Sequence, residues 1–272
     1  MKTGLKSIDN KIEVNPGQII VLASRPSMGK SRLLKRIAIN LAERGKTVQV
    51  LDLQNSIRES FLTMLCLLAG IERNKLREEW QVGDESMFQS VQRDNENGNI
   101  NGEEFQCLVA AVNRATDLPL DIIDSQTSST AEDLIAKDFD FTDKSYKHPD
   151  VIIIDNIQML TRHKSKSDID QFTSCLKAKA VNENTVIIVA SDLSREVELR
   201  AWSMAHLSQL PSAMSSLDCV ADKVIFLQRP EVYDPLDRQG YAELAIVKNR
   251  QGDCGSIKLR FCEVLGDFES FD

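Results

Sequence analysis

IIVLASRPSMGKS, residues 19–31, is the stretch that decides the fold. Its first five residues are apolar, as in a strand that is buried on both faces. Residues 30–44 then place their apolar side chains on one helical stripe, before Gly45 ends the helix. A buried strand, a short loop and a helix in this order predict an α/β fold.

The loop between that strand and helix predicts a phosphate site. It follows the pattern G-x-x-x-x-G-K-[ST], except that Ser24 replaces the first glycine. Backbone N–H groups at a helix start face an anion, and the helix dipole adds favourable potential. Lys30 is predicted to reach the β- and γ-phosphates, and Ser31 to bind Mg²⁺. The predicted nucleotide-binding residues are Ser24, Arg25, Pro26, Ser27, Met28, Gly29, Lys30, Ser31 and Arg32.

A second apolar run, residues 151–154, ends in Asp155. The carboxylate after such a strand is the usual partner of a phosphate loop, where it holds a water molecule of the Mg²⁺ shell. Many buried strands end in an aspartate, so the pattern is weak alone. Together with the loop it predicts Asp155 as a metal-site residue, with Mg²⁺ as the metal ion.

Further apolar runs predict the rest of the sheet. The predicted strands after the first are residues 48–53, 151–155, 186–190 and 224–227. Alternation of strands and helices indicates a mostly parallel sheet flanked by helices. Residues 242–248 and 256–262 instead alternate polar and apolar side chains, which predicts a C-terminal antiparallel β-hairpin. Residues 93–103 are polar and rich in Gly and Asn, and are interpreted as a solvated loop or insertion.

The composition is that of a globular protein. The 272 residues carry 33 Lys and Arg against 41 Asp and Glu, a net charge of −8, with 42% apolar and 27% charged residues. These values exclude a disordered chain, a collagen-like repeat and a coiled coil. The acidic balance argues against coating of nucleic acid over the whole surface, but not against a local basic channel. We expect a single domain over residues 1–272.

Cysteine spacing and hydropathy predict a cytoplasmic protein without a membrane partner. The six cysteines form no C-x-x-C pair and are interpreted as reduced thiols, and the three histidines are scattered. No apolar run approaches the ~20 residues of a membrane span. The N-terminal sequence MKTGLKSIDNK lacks the apolar core of a secretory signal.

Several segments, spread along almost the whole chain, match one family in the same order. They are residues 3–5, 7–9, 25–31, 154–160, 194–200, 229–233 and 248–250 with Gly252. In these segments the chain resembles the C-terminal, RecA-like motor domain of the DnaB-family replicative DNA helicases. A RecA-like recombinase or a clock-type ATPase shares the core, but the Pro-Ser-Met loop and the Lys-Asn-Arg segment favour the DnaB branch.

The resemblance implies a RecA-like P-loop NTPase core, a homo-hexameric ring with ATP between subunits, and single-stranded DNA in the central channel. The family's N-terminal helical domain has no counterpart in the chain. Lys248 and Arg250 match catalytic residues that reach the neighbouring subunit's ATP. Two apart on a predicted strand, they point to one face, and a cation supplied in trans stabilises phosphoryl transfer. Without the family match, solvated basic residues are the better interpretation.

Two predicted catalytic positions depart from the family. Gln54 stands where the family has a catalytic Glu, and an amide can orient a water but cannot take its proton. Asp52, on the same strand face, is a doubtful substitute. Asp192 replaces the Gln that senses the terminal phosphate, and a carboxylate there is repelled unless Mg²⁺ or a lysine intervenes. Asp192 could alternatively direct the attacking water.

The predicted channel loop, residues 210–216, lacks the family's phosphate-gripping Arg and its Gly. Because DNA affinity depends on phosphate neutralisation, such a loop would grip DNA poorly. The basic segment 162–166 is the nearest alternative, although a solvated loop explains it equally well.

Two functions therefore stay open. The first is an ATP-driven helicase motor. The second is a hydrolysis-deficient paralogue that binds ATP and acts as a loader, inhibitor or assembly partner of a replicative helicase.

Overall fold

The computed structural model describes residues 1–76, 92, 98–124, 148–161, 164–193 and 215–271. The described strands are β1 Ile19–Ser24, β2 Val48–Asp52, β3 Leu120–Asp124, β4 Val151–Asp155, β5 Val186–Asp192, β6 Lys223–Gln228, β7 Tyr241–Asn249, β8 Gly255–Cys262 and β9 Asp267–Ser270. The described helices are α1 Lys6–Asp9, α2 Lys30–Ala42, α3 Ile57–Ala69, α4 Gly102–Asp117, α5 Ile157–Thr161, α6 Lys166–Asn182 and α7 Ser215–Val220, with 3₁₀ turns at Arg73–Lys75 and Pro230–Val232.

The strands form one mixed sheet in the order β3-β2-β4-β5-β1-β6-β7-β8-β9. Every pairing from β3 to β6 is parallel, and β7, β8 and β9 continue the sheet antiparallel. The predicted fold class, a mostly parallel sheet with an antiparallel C-terminal hairpin, is confirmed. β3 and β9 were not predicted, and β9 pairs with the hairpin strand β8.

Helices cover both faces of the parallel strands. Along β1 the side chains alternate, so Ile20 and Leu22 pack with the apolar stripe of α2, while Ile19 and Val21 pack with α6. All residues of β1, β2, β4 and β6 are buried. The predicted stripe of α2 therefore lies in the core, and the helix ends two residues before its predicted end.

The segment predicted as a solvated loop, residues 93–103, differs in part. Residues 93–97 lie outside the described residues. Ile100 is buried against α3 and α4, and α4 already begins at Gly102 because Asn101 and Glu104 form a capping box. The capping pattern was therefore hidden within a polar, Gly-rich run.

The cysteines and the helices bear on two predictions made from the sequence, reduced thiols and the lack of a membrane span. All six cysteines are free thiols. Among the described residues, no helix combines the length and apolarity that crossing a bilayer requires.

Candidate nucleotide-binding site

Polar side chains gather where the parallel strands end. Asp52 at the end of β2 lies opposite Asp155 at the end of β4, and Ser24 at the end of β1 lies opposite Asp192 at the end of β5. In open α/β sheets, ligands bind outside the carboxyl ends of the strands. The sheet order thus brings together acids that are far apart in the chain.

The loop from β1 to α2 has the backbone of an anion cradle. Ser27 and Gly29 both have positive φ, 65° and 87°, and Gly29 is the N-cap of α2. A Cβ on Gly29 would lie 3.0 Å from Cζ of Phe268, so space as well as φ requires glycine there. Met28 is buried and its sulfur accepts a hydrogen bond from the Arg229 backbone N–H at 3.3 Å. Met28 therefore fixes the loop to the core, while the neighbouring Ser27 stays exposed.

Lys30, at the start of α2, is buried and ion-paired. Its Nζ donates to Oδ1 of Asp192 and, at 3.1 Å, to the backbone carbonyl of Ser191. The other carboxylate oxygen of Asp192 accepts from Nδ2 of Asn156 at 2.7 Å. Gln158 donates from Nε2 to the backbone carbonyl of Asp192 at 3.2 Å. Asp192 is thus fixed directly beside the phosphate loop.

Ser31 and Asp155 meet within this cluster. The Ser31 side chain hydrogen-bonds the Asp155 carboxyl group, and burial raises the pKa of Asp155 despite that bond and the nearby charge of Lys35. Oδ1 of Asp155 is buried without a hydrogen-bond partner. A hydroxyl and a carboxylate are oxygen ligands of the kind that Mg²⁺ prefers, and an unpaired buried oxygen gains from a cation. The residues present therefore fit a magnesium ion.

Asp52, which the sequence offered as a substitute for the catalytic acid, accepts hydrogen bonds from Lys35 and Asn55. It is fully buried, its Oδ2 is 2.6 Å from Nζ of Lys35, and both its oxygens accept from Nδ2 of Asn55 at 3.0 and 3.1 Å. Gln54, two residues later, is exposed. Both Asp52 oxygens are therefore already hydrogen-bonded within the protein, which argues against this side chain as a substitute for the missing Glu.

Two arginines of the predicted nucleotide-binding set have contacts outside the loop. The guanidinium of Arg25 lies 5.0 Å from the ring centroid of Tyr233. Arg32 donates from Nη1 to the backbone carbonyl of Leu265 at 3.0 Å, in the turn between β8 and β9. Their part in nucleotide binding stays a prediction.

Lys248 and Arg250 lie at the other end of the sheet. Lys248 pairs with Val224 on β6, and β6 starts beside Ile20, near the beginning of β1. The phosphate loop follows Ser24, which is roughly 13 Å further along β1 at 3.3 Å per residue. Within one subunit these two basic residues are therefore placed away from the loop.

Both basic side chains contact the C-terminal half of α7, and Arg250 also contacts the short connection to β6. Lys248 donates to the carbonyl and carboxylate of Asp218, and Arg250 donates to the carbonyl of Cys219 and lies 3.6 Å from Oδ1 of Asp222. Arg250 follows β7 rather than lying on it, yet the predicted common side for the two residues agrees with these contacts.

The comparisons with known proteins decide the family. The family model described as "DnaB-like helicase C terminal domain" matches residues 1–270. This chain belongs to that family. The predicted resemblance is confirmed.

Curated relatives agree with this family, and a solved structure shares the fold. The chain is 27% identical to the replicative DNA helicase DnaB of Buchnera aphidicola subsp. Baizongia pistaciae, over 100% of this chain and 55% of the relative. It is 28% identical to a probable plasmid replicative DNA helicase of Chlamydia muridarum, over 96% and 52%. The chain therefore spans about half the length of the curated relatives it matches. A solved DnaB-like replicative helicase superimposes with a TM-score of 0.83 at 24% identity, covering 100% of this chain and 62% of that one.

Some of the predicted regions of this DnaB-like domain lie outside the described residues. They are the segment 194–200, residues 162–163 of the basic segment and residues 210–214 of the channel loop. Of the described neighbours, Ser165 caps α6 by accepting a hydrogen bond from the Asp168 backbone N–H.

Sequence reasoning gave no role to Lys35, Asn156 or Gln158, although all three hold the acids of the site. Lys35 was the detectable case, because it is a lysine in the buried part of a helix whose sequence pattern is amphipathic. Asn156 and Gln158 come within three residues after Asp155, but their partners lie 36 and 33 residues away along the chain, and no local pattern links them.

Proposed function

We propose that this chain is the ATP- and Mg²⁺-binding motor domain of a DnaB-type helicase that assembles as a ring and acts on single-stranded DNA. The observation that carries the proposal is the contact of Ser31 with Asp155 beside the buried Lys30, at the carboxyl end of the parallel strands. Membership of the DnaB-like family supports it.

Each residue at that end has a distinct task in the proposal. The backbone N–H groups of the loop bind phosphate oxygens, and Lys30 places its charge on the β- and γ-phosphates. Ser31 and Asp155 would hold Mg²⁺, which when bound neutralises phosphate charge. Gln54, exposed at the end of β2, orients a water molecule for attack without taking its proton.

In the proposal, the positive charge that stabilises the transition state comes from a neighbouring subunit. Lys248 and Arg250 lie at the far end of their own sheet, so they serve the nucleotide of an adjacent copy. A cation supplied in trans stabilises the transition state of phosphoryl transfer. Ring assembly is therefore part of the proposed activity.

Steady-state hydrolysis tests the proposal. We expect the assembled protein to hydrolyse ATP and single-stranded DNA to raise the rate, with assembly mass measured on the same sample with and without ATP. A hexamer with demonstrably bound ATP and no turnover, with or without DNA, would overturn the motor function.

A specific observation favours a second candidate function. In it, the chain is a DnaB-like protein that binds ATP without fast hydrolysis and acts as a helicase loader, inhibitor or assembly partner. Gln54 replaces the expected acid, and Asp52 is held by Lys35 and Asn55. Gln54→Glu discriminates the two, since general base catalysis contributes roughly 100-fold or more. If the wild type is inactive and this variant hydrolyses ATP, the second candidate holds. Gln106→Glu, the same change on the exposed face of α4, is the matched control.

A further inference from the structure

We propose that Asp192 determines nucleotide specificity by competing with the terminal phosphate for Lys30, so that the site binds a nucleoside diphosphate more tightly than a triphosphate. This inference rests on the proposed nucleotide site. It concerns a residue that differs from the Gln of the family pattern, and its consequence is measurable as a ratio of two affinities.

Asp192 already binds Lys30, the side chain on which binding of a terminal phosphate depends. Nζ of Lys30 has two acceptors, the carboxylate of Asp192 and the carbonyl of Ser191. Lys30 is buried. A buried ammonium group is compensated mainly by the anion beside it, so Asp192 already provides what a γ-phosphate oxygen would provide.

Asp192 is also held in this position by neighbours other than Lys30. Its second oxygen accepts from Asn156 at 2.7 Å. Its backbone carbonyl accepts from Gln158 at 3.2 Å, and its position on β5 is paired with Ser24 of β1. Moving the carboxylate away from Lys30 breaks at least the Asn156 hydrogen bond as well as the ion pair.

The γ-phosphate of a bound nucleotide is the phosphate that would meet this carboxylate. In phosphate loops the backbone N–H groups bind the α- and β-phosphates, while the lysine reaches the β- and γ-phosphates. A diphosphate shares only its β-phosphate with Lys30 and is otherwise bound by the backbone, so it brings less negative charge beside Asp192. The γ-phosphate of a triphosphate would bind Lys30 next to the Asp192 carboxylate. The two negative charges would then repel each other.

The experiment compares MgADP with a non-hydrolysable Mg-triphosphate analogue by calorimetry on the full chain. We expect the wild type to bind the diphosphate at least about tenfold more tightly, a difference of roughly 1.4 kcal/mol. Asp192→Asn should strengthen triphosphate binding at least tenfold and diphosphate binding less than threefold. Asp121→Asn, the same change at an exposed position on the edge strand β3, should change neither.

Two safeguards keep the test decisive. The wild-type ratio needs no variant, and Asp192→Gln gives a second neutral side chain if the Asn variant fails to fold. Equal affinities in the wild type, or equal strengthening of both nucleotides in the folded variants, would overturn the specificity role and leave the proposed function standing. Absence of binding for both nucleotides would remove the proposed function itself, and this inference with it.

Discussion

Asp155 and Asp222 are buried aspartates at opposite ends of the parallel strands, and their surroundings differ. Asp155 is the last residue of β4 and accepts a hydrogen bond from Ser31, while its Oδ1 is buried without a hydrogen-bond partner. Asp222 precedes β6 and its Oδ2 accepts from Lys177 at 2.7 Å and from the Ile19 backbone N–H at 2.8 Å.

The pKa values of the two carboxyl groups shift in opposite directions. Burial raises the pKa of Asp155, and its neighbours do not offset this effect. Burial also acts to raise the pKa of Asp222, but hydrogen bonds from Lys177 and Ile19, with the charges of Lys177 and Arg250, outweigh it and lower the pKa. One end of the sheet therefore favours an added cation, whereas the other end has its charges already compensated.

This difference supports the proposal that the two ends of the sheet contribute to the nucleotides of neighbouring subunits. The Asp155 end has the loop, Lys30 and the oxygen ligands of a nucleotide site. The Asp222 end holds Arg250 by its guanidinium and its backbone N–H, which donates to the Asp222 carbonyl at 2.9 Å. In a ring, the second end of one subunit would complete the first end of the next.

Arg250→Ala is the change with the largest expected effect. Turnover should fall by about 1,000-fold or more, because a cation supplied in trans contributes that much to phosphoryl transfer, while ATP affinity stays within threefold. Phosphate release is measured at saturating ATP in the wild type, or in Gln54→Glu if the wild type is slow. Arg238→Ala, which removes an exposed arginine paired with Asp237, is the matched control and should have no effect.

Rings that contain two different inactive variants test whether the two ends of the sheet act on the same nucleotide or on neighbouring ones. Subunits with Arg250→Ala keep an intact loop, and subunits with Lys30→Ala keep an intact arginine. If the two ends serve neighbouring copies, a mixture of the two inactive variants regains part of the turnover. No recovery from a mixture that demonstrably co-assembles would contradict the trans role.

Lys30→Ala should weaken ATP binding by roughly 100-fold, at the upper end of what charge-assisted hydrogen bonds contribute. Calorimetry measures the loss directly. Lys46→Ala removes a half-exposed lysine whose partner is Asp150, and should leave binding unchanged. Unaltered binding in Lys30→Ala would place the nucleotide elsewhere.

The sequence predicted the first of these two ends better than the second. The phosphate loop and Asp155 are local motifs on buried parallel strands, whose continuous apolar runs are easily recognised. β3 escaped prediction because it is an edge strand with the exposed Asp121 in it, and β9 has only four residues. The ion pairs Lys35–Asp52 and Lys30–Asp192 join elements that only the sheet order brings together, so no periodicity in the sequence could reveal them.

Asp222→Asn tests the compensated end and has the smallest expected effect. At pH 7 the free energy of unfolding should fall by about 1–3 kcal/mol, because the Lys177 and Ile19 donors lose a charged acceptor. The pKa of Asp222 is lower in the folded chain than in the unfolded one, so its contribution is complete above the unfolded-state pKa and disappears as the pH falls through the folded-state pKa. Urea unfolding across that acidic range should therefore show the wild type and the variant converging. Asp253→Asn, at an exposed position between β7 and β8, is the matched control and should have the free energy of unfolding of the wild type at every pH. If Asp222→Asn stays less stable than the wild type at low pH, packing rather than charge compensation stabilises this end of the sheet.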